Sequence, residues 1–296
     1  MILLCLLPAI AQADWQRDDT TLAWRSGTNT IWRFSFDPKK GKTFFHPLTA
    51  GDRRALTFFK PEDHPWHYGL WFSWKYINHV NYWEEDRQTG KAEGATRWSA
   101  PAIDTRPDGS ATIRFDVNYV HPSDRIDLVE KRELKISAVA PDGSYAIDWR
   151  AHFTAGAQGA ILDRTPMPGE PDGKVNGGYA GLGLRMPPAP LVMTVLCSTG
   201  AVTRFENDRA RPNAAAVACN FMDGTKDLGG VAIFSDPANA GENAPWYLIN
   251  SELMRFACAA ILAPKRLTLP PGGQLELHYR IAVSPRAWTQ RELQNP

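Results

Sequence analysis

Alternation of apolar and polar residues along short segments is the feature that most restricts the fold of this chain. Residues 111–119 read ATIRFDVNY, with an aliphatic or aromatic side chain at every second position from 113 onward. The same period of two recurs over residues 145–154 and 275–283. This period is typical of strands with one packed and one wet face, as in antiparallel sheets. The three segments therefore predict long antiparallel strands.

Turn sequences rich in Pro, Asp and Gly separate the strand segments, for example PDG at 107–109 and PPGG at 270–273. Shorter strands are predicted at 30–36, 191–198 and 230–234, and no segment keeps a period of 3.6. The prediction is an all-β fold, a multi-stranded antiparallel β-sandwich. Since no linker divides the chain, residues 14–296 are expected to form a single β-sandwich domain.

Two regions break the alternation, residues 46–85 and residues 156–186. The second contains eight glycines. Long segments without secondary structure on a compact sheet are usually functional or disordered. Both regions are predicted to be long loops, and the first is too aromatic to be disordered.

The N-terminus resembles an export signal. Residues 2–11 are almost wholly apolar, and Ala11-Gln12-Ala13 fits a small-residue cleavage pattern. The run is shorter than the roughly 20 residues that a membrane-spanning helix needs. We predict residues 1–13 to be a signal peptide and the protein to be periplasmic or secreted; the alternative is a buried N-terminal strand. Cys197, Cys219 and Cys258 show no CxxC spacing, although one disulfide among them is possible.

The charge balance argues against polyanionic partners. The chain has 33 Lys and Arg against 32 Asp and Glu, a net charge of +1. It offers no electrostatic reason to bind nucleic acid or a membrane surface. With 13 Phe, 11 Trp and 8 Tyr it is too apolar to be disordered. The expected partner is a small-molecule or oligosaccharide ligand, and the sequence leaves the oligomeric state open.

Residues 61–85, PEDHPWHYGLWFSWKYINHVNYWEE, combine aromatic rings with hydrogen-bonding side chains. This mixture suits a sugar, whose C–H face stacks on a ring while its hydroxyls need partners. Trp71, Phe72 and Trp83 are expected to anchor the segment to the core. The residues predicted to bind substrate are Trp66, Trp74, Asn78, Tyr179 and Arg185.

His64 and His67 are the predicted proton-handling pair, because imidazole can give and accept protons near neutral pH. Glu84 is predicted as a second acid/base group. The two histidines could instead donate hydrogen bonds to substrate, or bind a divalent metal together with Asp63 or Glu84. HxxH in a loop lacks the fixed geometry of a helical motif. No cofactor is therefore predicted, although a metal at His64 and His67 stays possible.

Two strand faces carry further polar rows. Asp148, Arg150 and His152 share one face, and residues 276, 278 and 280 share another. Each row is expected to be a solvated outer face. The alternative is that one of them lines a concave sheet that faces a ligand.

The order of motifs resembles the bacterial family DUF6807, whose members carry a segment like DHPHHRGLWFAHGDVNGVDFW. Matching positions here are 63–65, His67, 69–72, Asn78 and Trp83. Further on, GGYAGL at 177–182 with Arg185, and PWY at 245–247, also match. The resemblance covers nearly all of the chain after residue 13. It implies an exported β-sandwich with a carbohydrate-related role, and the galactose-mutarotase-like supersandwich is the nearest analogy.

Three positions depart from that pattern. Trp66 and Trp74 stand where the family usually has His, and Tyr68 stands where it usually has Arg. If the family site holds a metal through those imidazoles, this chain lacks them. The family also carries the label methane oxygenase PmoA. The sequence has no run of about 20 apolar residues like those of the membrane subunit of that name, so neither methane oxidation nor copper is inferred.

The leading hypothesis is an exported carbohydrate-active enzyme. It would act on a glycoside or modified sugar as a hydrolase, lyase or epimerase. The second hypothesis is a non-catalytic sugar-binding β-sandwich with the same aromatic platform. The third is a metalloprotein with its metal at the histidines.

Overall fold

The computed structural model describes residues 13–50, 54–239 and 244–295. Every strand pair recorded in it is antiparallel. The predicted signal peptide, residues 1–13, lies outside the described residues except for Ala13, which begins a strand.

One sheet has nine strands. They are β1 (Ala13–Arg17), β2 (Thr21–Ser26), β3 (Asn29–Ser35), β4 (Phe44–Leu48), β5 (Leu70–Ser73), β14 (Gly181–Met186), β17 (Arg209–Ala210), β20 (Trp246–Asn250) and β21 (Arg255–Ala259). Their order across the sheet is β1-β2-β3-β4-β5-β14-β21-β20-β17. Strand β14 therefore lies in the interior of the sheet although the chain before it is rich in glycine.

The second sheet has ten strands. They are β8 (Ala95–Trp98), β9 (Ala102–Thr105), β10 (Ala111–Val120), β11 (Ile126–Ile136), β12 (Tyr145–Ala155), β15 (Val192–Cys197), β16 (Gly200–Ala201), β18 (Ala216–Asp223), β19 (Lys226–Ser235) and β23 (Gln274–Ser284). Nine of them run in the order β16-β15-β18-β19-β23-β12-β11-β10-β8, and β9 pairs with β10. The three longest predicted strands lie together here, as β10, β12 and β23.

A small four-stranded sheet and two short helical segments complete the described structure. The strands are β6 (Tyr76–Ile77), β7 (Val80–Asn81), β13 (Ala160–Asp163) and β22 (Leu267–Leu269), and they pair in the order β22-β13-β6-β7. A 3-10 turn spans Pro38–Lys40, and helix α1 spans Gln290–Gln294. The small sheet connects the first predicted loop region to the second.

The two large sheets pack face to face through aromatic side chains. The rings of Phe34 and Phe115 lie 5.9 Å apart, and those of Phe72 and Phe153 lie 5.5 Å apart. Each pair joins one strand of the nine-stranded sheet to one of the ten-stranded sheet. Burial of these rings supplies the main driving force for the packing. The predicted all-β antiparallel sandwich is confirmed.

The predicted loops are partly wrong. Residues 46–85 contain β5, β6 and β7, and residues 156–186 contain β13 and β14. The reason is that β5 and β14 are buried on both faces, so they lack the alternation that identified the other strands. The shorter predicted strands at 30–36, 191–198 and 230–234 are confirmed as β3, β15 and part of β19.

Two further features concern cysteines and membranes. Cys197, Cys219 and Cys258 are buried free thiols, and no disulfide joins them. Burial raises the pKa of the Cys197 thiol to about 11. Across the described ranges, no helix combines the length and apolar character that would let it cross a bilayer.

Candidate functional site

The outward face of the nine-stranded sheet is aromatic where a polar, wet face would be usual. One row of cross-strand neighbours crosses β4, β5, β14, β21 and β20. It consists of Phe44, Trp71, Gly183, Cys258 and Tyr247. The side chains of this row are almost completely buried. From β4 to β20 the sheet is therefore covered on both sides.

Gly183 allows two of the large rings to meet above β14. A Cβ atom at this position would lie 3.2 Å from Trp71 Cη2 and 3.2 Å from Phe256 Cε2. Without it, the two ring centroids lie 5.9 Å apart. Phe256 on β21 then forms an apolar floor on this face of the sheet, together with Tyr247 and Ile249 on the neighbouring strand β20.

Three segments cover this floor, residues 54–69, 82–85 and 164–180. In the first, the His67 amide donates to the His64 carbonyl at 3.0 Å, which closes a tight turn. Gly69 follows this turn with φ +77°, and a Cβ there would lie 2.6 Å from the Phe45 carbonyl oxygen. Only glycine fits such a close approach in the left-handed region. The turn therefore holds both histidines over the sheet.

The three segments and the floor enclose a cavity of about 240 Å³. Five of the eight predicted site residues line it: His64, Trp66, His67, Glu84 and Tyr179. The cavity is smaller than the roughly 300–1,000 Å³ of sites for drug-sized ligands. Its size fits one ring-sized ligand.

The two histidine rings stack on each other, with centroids 4.7 Å apart and planes at 29°. His64 Nδ1 lies 2.8 Å from Asp63 Oδ2, and no other described group hydrogen-bonds the ring. His67 is only 3% exposed and also stacks on Phe256. Burial, with the nearby charges of His64 and Arg185, holds the pKa of His67 well below its ordinary value. His67 is therefore neutral at physiological pH.

Asp63 connects His64 to a buried arginine. Arg185 Nη2 lies 3.1 and 3.0 Å from the two Asp63 carboxylate oxygens and 3.0 Å from the Leu253 carbonyl oxygen. Partial burial would raise the pKa of Asp63, but the hydrogen bond from His64 and the charge of Arg185 outweigh it and lower the pKa. Asp63 is thus an ionised acceptor that orients the His64 ring.

Glu84 has three partners. Its carboxylate accepts hydrogen bonds from Tyr179 Oη at 2.5 Å, from Asn81 Nδ2 at 2.7 Å and from Lys75 Nζ. Burial would raise the pKa of Glu84, but the charge and hydrogen bond of Lys75, with those of Tyr179 and Asn81, outweigh it and lower the pKa. Glu84 is therefore held ionised at the cavity wall.

The neighbouring Glu85 points into a separate cluster, named here the lysine cluster. It contains Lys42, Lys60, Tyr68 and Glu85. Glu85 lies 2.7 Å from Lys42 Nζ and 3.1 Å from Lys60 Nζ, and it accepts a hydrogen bond from Tyr68 Oη. Both ammonium groups also lie within 5.0 Å of the Tyr68 ring centroid. The cluster contacts the histidine turn, because the Lys60 amide donates to the His67 carbonyl oxygen at 2.8 Å.

Comparison with known proteins gives one family assignment. The model of a family of unknown function, DUF6807, matches residues 21–295. The chain belongs to the DUF6807 family. No curated protein sequence matches it.

Several solved structures resemble this DUF6807 protein at 10% identity or less. An α-galactosidase from Lactobacillus brevis gives a TM-score of 0.47 at 10% identity, over 93% of this chain and 40% of its own. A putative aldose 1-epimerase from Klebsiella pneumoniae gives 0.47 at 9% identity, over 93% and 82%. The galactosidase domain of AgaSK, an α-galactosidase-sucrose kinase, gives 0.46 at 7% identity, over 94% and 41%. The chain thus spans about two fifths of the two galactosidase chains. Similarity at this level does not bear on ligand or activity.

Three predicted substrate contacts need correction in this DUF6807 protein. Trp74 has no exposed surface and packs on Phe72 and Phe153 inside the sandwich. Asn78 joins the small sheet through its side chain. Asn78 Oδ1 accepts a hydrogen bond from the Ile161 backbone amide, and Asn78 Nδ2 donates one to the Gly159 carbonyl oxygen. Arg185 is fully buried beside Asp63, away from the cavity wall. Each was predicted from its place in the sequence, whereas the fold commits Trp74 to the core, Asn78 to the small sheet and Arg185 to Asp63.

Two of the sequence departures from the family pattern have clear local roles. Trp66 lines the cavity, and the Arg87 guanidinium lies 5.4 Å from its ring centroid. Tyr68 belongs to the lysine cluster. One indole face at Trp66 is therefore occupied by Arg87.

Trp83, expected to be a core anchor, is 1% exposed yet also lines the cavity.

Sequence reasoning missed Arg209, Tyr247 and Phe256, which also line the cavity. They lie more than 140 residues from the histidines, and only the pairing of β17, β20 and β21 brings them near. The resemblance of residues 245–247 to the family's PWY turn was the one available signal for Tyr247.

No metal centre is built from the described side chains. In residues 13–50, 54–239 and 244–295, no group of three or more His, Cys, Asp or Glu residues is arranged to hold a metal ion. His64 is committed to Asp63 through Nδ1, and His67 is stacked between rings. This arrangement fits side chains that contact an organic ligand.

The predicted polar rows of β12 and β23 face outward and pair with each other. His152 Nδ1 lies 3.0 Å from Glu276 Oε1, and Arg280 Nη1 lies 3.6 Å from Asp148 Oδ1. A cavity of about 600 Å³ lies over these rows. The rows satisfy one another across the strands, as a solvated outer face does.

Proposed function

We propose that this DUF6807 protein is a carbohydrate-active enzyme that binds one sugar ring in the 240 Å³ cavity and transfers protons on it. The observation that carries the proposal is the His64 ring, oriented by Asp63 at Nδ1 and otherwise unbonded, beside two indoles in one cavity. Indole faces suit the C–H face of a sugar, and charged side chains suit its hydroxyls.

His64 is the proposed general base. Because Asp63 accepts a hydrogen bond from Nδ1, the neutral ring carries its lone pair on Nε2. After proton transfer, the same carboxylate stabilises the imidazolium. Arg185 acts as a positioning residue, since it holds Asp63 and does not reach the cavity.

Glu84 is the proposed acceptor for a sugar hydroxyl. It is the only carboxylate among the described residues that line the cavity. Hydrolysis by two carboxylates needs a second one across the glycosidic bond. The site therefore favours an epimerase or lyase type of proton transfer over that form of glycoside hydrolysis.

The test is a His64→Gln variant measured for both binding and turnover. Probes are D-glucose, D-galactose, D-glucuronate and D-galacturonate, with binding read from the change in tryptophan fluorescence, to which Trp66 and Trp83 in the cavity wall contribute. Turnover is read by NMR in D2O as anomeric exchange or deuterium uptake at carbon. We expect the variant to keep affinity within about threefold and to lose turnover by about 100-fold or more, the usual contribution of a general base.

The control is His79→Asn, an exposed turn residue with φ +69° that Asn tolerates. It should match the wild type in both readouts. If wild type binds but turns over none of the four sugars, the non-catalytic sugar-binding protein is favoured instead. If none of the sugars changes the fluorescence, the carbohydrate proposal fails.

We also propose that the protein is exported, because residues 2–11 are apolar and Ala11-Gln12-Ala13 fits a cleavage site. Cleavage after Ala13 would keep residues 14–17 of β1, which pair with β2. N-terminal sequencing of protein from a periplasmic fraction is expected to begin at Asp14. Recovery of a chain that starts at Met1 would contradict this.

A further inference from the structure

Most charged groups at the cavity are matched by a partner of opposite sign. Glu84 is paired with Lys75, and Asp63 is paired with Arg185. The remaining charged side chain on the cavity wall is Arg209. It has no carboxylate within salt-bridge distance among the described residues.

Arg209 is held in a defined position although it lies on an edge strand. Its backbone pairs with Ile249 in β20. Nε donates to Tyr247 Oη at 3.0 Å, and Nη1 donates to the Asn207 carbonyl oxygen at 2.5 Å. An arginine has five N–H groups, so three remain for a ligand. A planar guanidinium with a free N–H group on each Nη atom suits a two-pronged contact with a carboxylate.

A second arginine adds positive charge beside Tyr247. The Arg211 guanidinium lies 4.9 Å from the Tyr247 ring centroid. Its Nη2 donates to the Val175 and Gly177 carbonyl oxygens at 2.7 and 3.0 Å. It thereby fixes the segment that carries Tyr179. Arg211 also has no carboxylate partner in the described structure, so this end of the cavity has uncompensated positive charge.

We propose that the ligand is an acidic sugar, a uronate, whose carboxylate binds the Nη edge of Arg209 while its ring lies over Phe256. The inference rests on the proposed sugar-binding function and adds the charge of the substrate. A carboxylate is favoured over a phosphate because one guanidinium edge satisfies it. A phosphate dianion has more oxygens than this single edge can bind.

The experiment compares matched pairs of sugars at low salt, D-galacturonate with D-galactose and D-glucuronate with D-glucose, by tryptophan fluorescence and calorimetry. Wild type is expected to bind at least one uronate about tenfold or more tightly than its neutral partner. Arg209→Gln should lose that preference and keep its affinity for the neutral sugar within about threefold. Arg209→Lys should keep part of it, because charge is retained without the planar fork.

The matched control is Arg204→Gln, since Arg204 is 85% exposed and pairs with Glu206 outside the cavity. It should leave the preference unchanged, and circular dichroism checks that every variant folds. Equal binding of uronate and neutral sugar by wild type overturns this inference and leaves the proposed function intact. Retained preference in Arg209→Gln, or tighter binding of galactose 6-phosphate than of galacturonate, also overturns it. Binding of no sugar at all is the separate failure of the proposed function.

Discussion

Replacing Arg132 with Met is expected to lower the free energy of unfolding by about 3–5 kcal/mol, the usual cost of breaking a buried ion pair. Arg132 and Glu130 alternate on β11 and both point into the sandwich. Arg132 Nη2 lies 2.7 Å from Glu130 Oε2, and Arg132 Nη1 lies 2.7 Å from Thr43 Oγ1. The guanidinium also lies 4.8 Å from the Trp149 ring centroid. Without Arg132, the Glu130 carboxylate has no compensating charge and no exposed surface.

Guanidinium chloride unfolding at pH 7 measures this effect. The double variant Glu130→Leu with Arg132→Met should recover most of the lost stability, because a buried pair can be replaced by apolar side chains at little cost. Arg114→Gln is the control. It breaks a surface ion pair with Glu133, with Arg114 50% exposed, and should cost less than about 1 kcal/mol. A loss below about 1 kcal/mol for Arg132→Met would show that the pair is not a buried one.

Replacing Glu85 with Ala is expected to cost a similar amount, about 3–5 kcal/mol at neutral pH. The variant leaves Lys42 buried without its counter-charge. Burial already lowers the pKa of Lys42, and Glu85 is the main group that opposes this. Without Glu85 the folded-state pKa falls further below the unfolded value near 10.4. The unfolded state then binds the extra proton, so the stability of the variant should rise with pH up to about pH 10.

The measurement is unfolding of the variant and wild type at pH 7 and pH 9.5. The stability difference between them should shrink at the higher pH. Glu62→Gln, an exposed position near the same turn, is the control and should be neutral at both values. A difference that does not change with pH would mean that Lys42 does not carry the effect.

Sequence reasoning succeeded where one face of a strand is wet. Strands β10, β12 and β23 alternate cleanly, and their inward residues, such as Trp149 and Tyr279, are fully buried. It failed for β11, where Glu130 and Arg132 occupy two inward positions and interrupt the apolar row of Leu128, Leu134 and Ile136. It also failed for β14, where Gly183 and Arg185 form the second buried face.

The same limit explains which residues of the candidate site could be predicted from the sequence. His64, Trp66, His67 and Glu84 come from one stretch of sequence with an unusual composition, and they do line one cavity. Trp74 comes from the same stretch but follows β5 directly and packs on Phe72 and Phe153 inside the sandwich. No local sequence pattern marks Arg209 as a site residue, because its proposed role depends on how far it lies from carboxylates in the folded chain.

The burial of both faces of the nine-stranded sheet, from β4 to β20, restricts how the ligand specificity of this protein can change. In many sandwiches, binding loops vary freely because the scaffold beneath them is stable alone. Here the histidine turn and its neighbours shield the apolar floor of the sheet, so grafting in foreign loops would expose Phe256 and Tyr247 to water. New specificity in this lineage is therefore expected through point substitutions around a preserved aromatic base, with wholesale loop exchange disfavoured.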